Sequence, residues 1–113
     1  KQLNNVLLQS ASDAVIQLSP NWEIIEFNSI AEDFLGVKRN QAINNSYIEL
    51  FVPEPARQKT EQQMNKLLKR TDKTKLKMPT IVATTNEKEI EWTVNVITDN
   101  LKQPIGIIIT TKI

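Results

Sequence analysis

Glu87, Glu89 and Glu91 alternate with Lys88 and Ile90 in one short segment, and on an extended chain residues two apart face the same way. Three carboxylates on one strand face could hold a hard cation or share a proton. A solvated strand face beside a turn carries the same spacing, and the rest of the sequence supplies no chemical partner. The 113 residues include neither cysteine nor histidine. That removes thiolate nucleophiles, disulfides, thiolate zinc sites, the commonest metal ligand and the usual general base near neutral pH. No phosphate-binding loop can be built from two glycines placed as far apart as Gly36 and Gly106. No catalytic residue and no metal site are therefore expected.

Other candidates are apolar or basic. Trp92 stands in a run where Ile90, Trp92, Val94 and Val96 share one face of a strand and Glu89, Glu91, Thr93 and Asn95 share the other. An indole on the apolar face can pack in a core or stack on a planar cofactor. Met64, Leu67 and Leu68 carry the same ambiguity on a helix face. Charge is uneven although the total is +1: residues 1–56 hold three basic and seven acidic side chains, giving −4, and residues 57–113 hold eleven and six, giving +5. The excess gathers at Lys66, Lys69, Arg70, Lys73, Lys75 and Lys77. No aromatic residue is interleaved there for base stacking, so the run reads as a solvated face, and no nucleic-acid partner is expected.

These residues need elements to position them. A chain of 113 residues suits one domain with one core. No apolar run approaches the ~20 residues that cross a bilayer, so this part of the chain is expected to be soluble and to make no membrane contact. Leu3, Val6 and Leu7 follow helical spacing, and residues 1–12 read as an amphipathic helix or linker ahead of a domain over 13–113. Ala14 to Leu18 and Trp22 to Phe27 read as a hairpin joined by Ser19-Pro20-Asn21. Ser29 and Glu32 have the spacing of a capping box that opens a helix near Ile30, and Gly36 suits its left-handed stop. Short helical turns follow to Val52, then a longer helix over 54–70 with Ala56, Thr60, Met64, Leu67 and Leu68 on one stripe. Strands are expected at Leu76–Thr84, Lys88–Thr98 and Pro104–Lys112. The last is apolar on both faces and belongs in the middle of a sheet or under a cover. The whole describes an α+β fold with an antiparallel sheet of five strands and helices over one face.

The order of elements and several motifs resemble the PAS sensor-domain family. "SASDAVIQLSPNWEIIEFNSIAEDFLGV" is similar to that family's opening, with Asn28, Ala31, Glu32, Leu35 and Gly36 in register; "EWTVNVI" and "PIGIIITTKI" resemble its later strands. Two places depart from the pattern. The turn between the third and fourth strands reads "TTNEKE" with no glycine, which implies a different turn. Lys112 stands where the family commonly carries the aspartate that couples the sheet to a downstream helix.

The resemblance implies a regulatory sensor or signal-relay module of a larger bacterial-type signalling protein, foremost a sensor histidine kinase. It would detect a small ligand in its cavity, mediate dimerisation, or do both. The alternative is a diguanylate cyclase or transcription regulator in which the domain is a ligand-free interaction module. Any kinase or cyclase activity would lie outside this stretch. Cysteine-linked flavin or chromophore and haem held through histidine are excluded by composition, leaving noncovalent flavin or a small metabolite. Ile16, Phe27, Phe34, Tyr47, Met64, Leu68, Trp92 and Val94 are the cavity candidates. Asn28, Ser29, Glu32 and Gly36 are expected to be structural. Leu3, Val6 and Leu7 would form the seam of a homodimer whose signal passes to an output domain in the same chain. The expected location is cytoplasmic, whether or not the full protein is anchored to a membrane.

Overall fold

Period-two hydrophobicity becomes five strands in the computed structural model, which describes residues 13–69, 73–83 and 86–112. The strands are β1 (Asp13–Leu18), β2 (Ile24–Phe27), β3 (Thr74–Val82), β4 (Asn86–Thr98) and β5 (Pro104–Lys112). They form one antiparallel sheet in the order β2-β1-β5-β4-β3. The doubly apolar strand β5 is therefore central, flanked by β1 and β4. Register fixes which side chains meet: Ile16 and Val94 both lie opposite Ile109 on the inner face, while Val15 and Thr93 both lie opposite Thr110 on the outer one.

Among the described residues four helices cover the inner face: α1 (Ser29–Leu35), α2 (Arg39–Ala42), α3 (Tyr47–Phe51) and α4 (Arg57–Leu68). A 3-10 turn, Glu54–Ala56, holds Pro55 and delays the regular helix to Arg57. Along α4 the expected stripe turns inward, with Thr60, Met64 and Leu67 buried. The core lies between these helices and the sheet, and its largest fully buried side chains include Trp92, Tyr47, Phe27, Phe51, Ile16 and Met64. Each such side chain contributes roughly 1.5–3 kcal/mol through removal from water.

Three local expectations need correction. Strand β2 starts at Ile24 and not at Trp22, because the Trp22 backbone turns left-handed at φ 71°, a conformation in which a bulky residue cannot continue a strand. The Ser19 hydroxyl stabilises that turn by accepting from the amides of Asn21 and Glu23 at 3.1 and 3.2 Å. Helix α1 is capped by Asn28, whose side chain accepts from the Ala31 amide at 2.9 Å, so Ser29 and Glu32 form no capping box. The Glu32 carboxylate accepts instead from the Arg39 amide at 2.6 Å and ties α1 to α2. Strand β3 begins at Thr74, two residues before the expected Leu76.

Strand β3 is an outer edge, with Lys75 and Lys77 exposed and Pro79 opposite Glu89. An edge is where a proline, lacking an N–H, can sit in a sheet. Val82 pairs with Asn86 at the β3–β4 connection, where Ala83 is left-handed at φ 54°. At the other end of α1, Gly36 has φ 77°, and a Cβ added there would meet the Ala83 Cα at 2.9 Å. The expected N-terminal helix with Leu3, Val6 and Leu7 lies outside the described residues.

Candidate functional site

Asn28 ties the start of α1 to the first strand. Its Oδ1 accepts from the amides of Val15 and Ala31 at 3.0 and 2.9 Å, its Nδ2 donates to the Asp13 carbonyl at 3.0 Å, and its own amide donates to the Val15 carbonyl at 3.1 Å. With 4% exposure it is a buried polar group fully used by backbone. It joins β1, the β2–α1 crossover and α1, and has no free atom to offer a ligand in that arrangement.

The segment entering α3 is held by the other side of the hairpin. Ile24 exchanges backbone hydrogen bonds with Asn45 and Asn44 at 2.9 and 2.8 Å, Glu23 bridges Ser46, and the Trp22 carbonyl accepts from the Tyr47 amide at 2.8 Å. The Ser46 hydroxyl caps α3 by accepting from the Glu49 amide at 3.3 Å. These contacts fix Tyr47 on a short helix with its ring in the core. The ring lies edge-on to Trp92 at 6.2 Å between centroids and tilted to Phe51 at 5.6 Å, and Phe51 stacks on Phe27 at 5.8 Å.

A small polar cluster sits inside this aromatic shell. The Trp92 Nε1–H donates to the Thr80 hydroxyl at 3.3 Å, and the Thr80 hydroxyl donates to the Met78 carbonyl at 3.1 Å. The Tyr47 hydroxyl is buried beside that of Thr80 and makes no well-formed hydrogen bond. Burial pushes its phenol well above the ordinary range, and the neighbouring Thr80 hydroxyl opposes that only in part. The phenol is thus a neutral donor at any physiological pH.

Of the cavity candidates, Ile16, Phe27, Tyr47, Met64, Trp92 and Val94 converge in this core, whereas Phe34 and Leu68 pack at its margin, partly buried. Thr80 was not singled out by the sequence. The available signal was its place in the inward register Met78, Thr80, Val82, where a hydroxyl stands among apolar neighbours. Glu87, Glu89 and Glu91 are exposed, and among the described residues no group of three or more metal-binding side chains comes together.

On the opposite face of the sheet an open groove of about 580 Å³ is lined by Asp13, Lys75, Glu91, Thr93, Thr110 and Lys112, among others. Asp13 and Lys112 lie opposite each other in the β1–β5 ladder. The Asp13 Oδ1 is buried without a hydrogen-bond partner. The molecule therefore offers an apolar interior with a few polar atoms and an outer face rich in charge.

The sequence matches the PAS fold over residues 2–112. The chain belongs to the PAS family. Solved PAS domains share its architecture. That of a Colwellia psychrerythraea protein is 16% identical, covers 99% of this chain with 95% of its own length matched, and superposes with a TM-score of 0.84. A PAS domain from a two-component sensor histidine kinase is 14% identical, covers 98% of this chain and 93% of that one, and gives 0.74. The PAS domain of the Cronobacter turicensis quorum-sensing receptor RpfR, in complex with BDSF, is 13% identical, covers 90% and 93%, and gives 0.70. At such identities the likeness establishes the fold alone. No curated protein matches this chain in sequence. In PAS terms, the aromatic shell around Tyr47 lies between sheet and helices, and the charged groove lies on the sheet's outer face. The PAS fold is a sensory module and not itself a catalyst. No helix among the described residues is long and apolar enough to cross a membrane.

Proposed function

We propose that this PAS domain is the sensor of a larger signalling protein, a sensor histidine kinase above other classes, and that it takes up a small ligand between the sheet and the helices. The observation that carries the reading is the Tyr47 hydroxyl, buried beside Thr80 and Trp92 without a well-formed hydrogen bond. An unpaired buried donor costs about 1–3 kcal/mol, and a ligand that accepts from it recovers that cost. The quorum-sensing receptor's PAS domain bound to BDSF supports the reading by likeness of fold. Noncovalent flavin or a small metabolite fits a site that has neither cysteine nor histidine to form a covalent or axial bond. Binding would bias helices α3 and α4 between two arrangements and pass the change to an output domain in the same cytoplasmic chain.

The test is the absorbance spectrum of the purified domain, followed by mass spectrometry of what denaturation releases. A flavin band or a stoichiometric small molecule is expected. A bare 280 nm band with nothing released, repeated for protein from several growth conditions, would count against an occupied site. The groove beside Asp13 favours a second reading, in which the domain relays signals as a homodimer through its outer face, with Leu3, Val6 and Leu7 at the seam.

A further inference from the structure

We infer that the outer face of the sheet docks a second copy of this chain through a self-complementary row of charge, with Lys112 set against Glu91 and Asp13 against Lys77. This rests on the second reading above, in which copies meet through the outer face, and it adds their orientation and contacts. Asp13 and Lys112 are partners in the β1–β5 ladder, and Glu91 and Lys77 are partners in the β4–β3 ladder. Strands β4 and β5 are neighbours through Thr93 and Thr110, and Lys112 and Glu91 line the same groove. Across the sheet in the order β1-β5-β4-β3 the row is therefore Asp13, Lys112, Glu91, Lys77, and its sign alternates at every strand. Lys112, Glu91 and Lys77 are exposed and Asp13 is half-buried. None of the four belongs to the ion pair found among the described residues, which joins Arg39 to Glu26.

An even row of alternating sign complements itself in reverse. A twofold axis parallel to the strands and midway between β5 and β4 reverses the order, so that Asp13 meets the second copy's Lys77 and Lys112 meets the second copy's Glu91. A twofold axis along the row would instead set every charge on its own counterpart, and like charges so placed are strongly disfavoured. The row thus selects the dimer whose strands run the same way in both copies, with the start of β1 and the end of β5 of each at one end. Exposed ion pairs add little affinity, so their work is orientation. Contact area comes from the adjoining outward positions Val15, Thr93, Thr110 and Ile108, all half-buried.

Charge reversal at the central pair decides the matter. Lys112→Glu sets its new carboxylate against Glu91, and Glu91→Lys sets its new ammonium against Lys112, so each variant alone repels its own copy. In a one-to-one mixture the new glutamate meets the new lysine and the unaltered Glu91 meets the unaltered Lys112. Mass is read by light scattering of this chain, and a tag on one variant lets native mass spectrometry identify the heterodimer. The wild type is expected to dimerise, each variant to dissociate at least ~10-fold more readily, and the mixture to regain the wild-type affinity as a heterodimer. Recovery on mixing cannot come from a repaired fold, because each chain keeps its own substitution, and thermal unfolding checks that both variants are folded. If the wild type dimerises and the single variants do so equally well, or the mixture forms no excess of heterodimer, the charge row is refuted while the dimer stands. A wild type that stays monomeric at millimolar concentration refutes the row and the outer-face reading together.

Discussion

At the scale of single residues the molecule separates polar groups that hold the fold from one that does not. Asn28 spends its side chain on backbone groups thirteen and fifteen residues away, so its value is the joining of α1 to β1. Tyr47 keeps its hydroxyl buried beside that of Thr80 with no well-formed hydrogen bond. Tyr47→Phe keeps the ring and its contacts with Phe51 and Trp92, removes a poorly bonded hydroxyl, and should raise stability by about 1 kcal/mol in urea unfolding. A loss of stability would mean that the hydroxyl holds an ordered water. A pH dependence follows from the same burial. Because the folded phenol titrates above the unfolded one, whose value is near 10, its contribution is complete at lower pH and is lost as pH climbs through 10. Wild-type stability should therefore fall above about pH 10 relative to Tyr47→Phe, and the two curves should run parallel at neutral pH.

At the scale of elements, Gly36 joins two parts of the chain. Its left-handed φ of 77° ends α1, and its missing Cβ leaves room for the Ala83 backbone at the β3–β4 connection. Gly36→Ala should cost about 1–3 kcal/mol in thermal unfolding. Gly36→Asn should cost nearly as much, because asparagine tolerates the left-handed backbone but not the 2.9 Å approach; full rescue by asparagine would place the whole effect in the dihedral angle. Elements of this kind were legible where local chemistry decides them. Alternation through Ile90, Trp92, Val94 and Val96 marked the inner face of β4, the doubly apolar run marked β5 as central or covered, and the helical stripe through Thr60 and Met64 marked α4. What the sequence left obscure depends on distant partners. Asn28 and Ser29 are both competent caps, and the choice falls to Asn28 because Val15 and Asp13 lie across from it. Trp22 favours a strand by type, but the Ser19 turn and the Tyr47 amide bend its backbone away from one. Of the inner site, Trp92 could be named from its place on an apolar strand face, and Tyr47 only through the family resemblance. Thr80 could not, since threonine suits either face of a strand until the tertiary fold chooses.

At the scale of the whole molecule, the two faces of the sheet have divided work. The inner face carries aromatic rings and the buried phenol, and the outer face carries the groove with Asp13 and Lys112. If the outer face serves a parallel dimer, light scattering should give twice the monomer mass for the wild type and the monomer mass after Leu3→Glu with Leu7→Glu. A wild type that is monomeric at high concentration would remove the interface from this stretch of the protein. The edge strand β3 limits how copies can meet at all. Lys75 and Lys77 are exposed there, and Pro79 leaves a gap in the row of donors that another strand would need. Lateral strand addition at this border is thereby opposed, which guards a β-rich chain at high local concentration against open-ended polymers and leaves closed, face-to-face assemblies as the route by which copies come together.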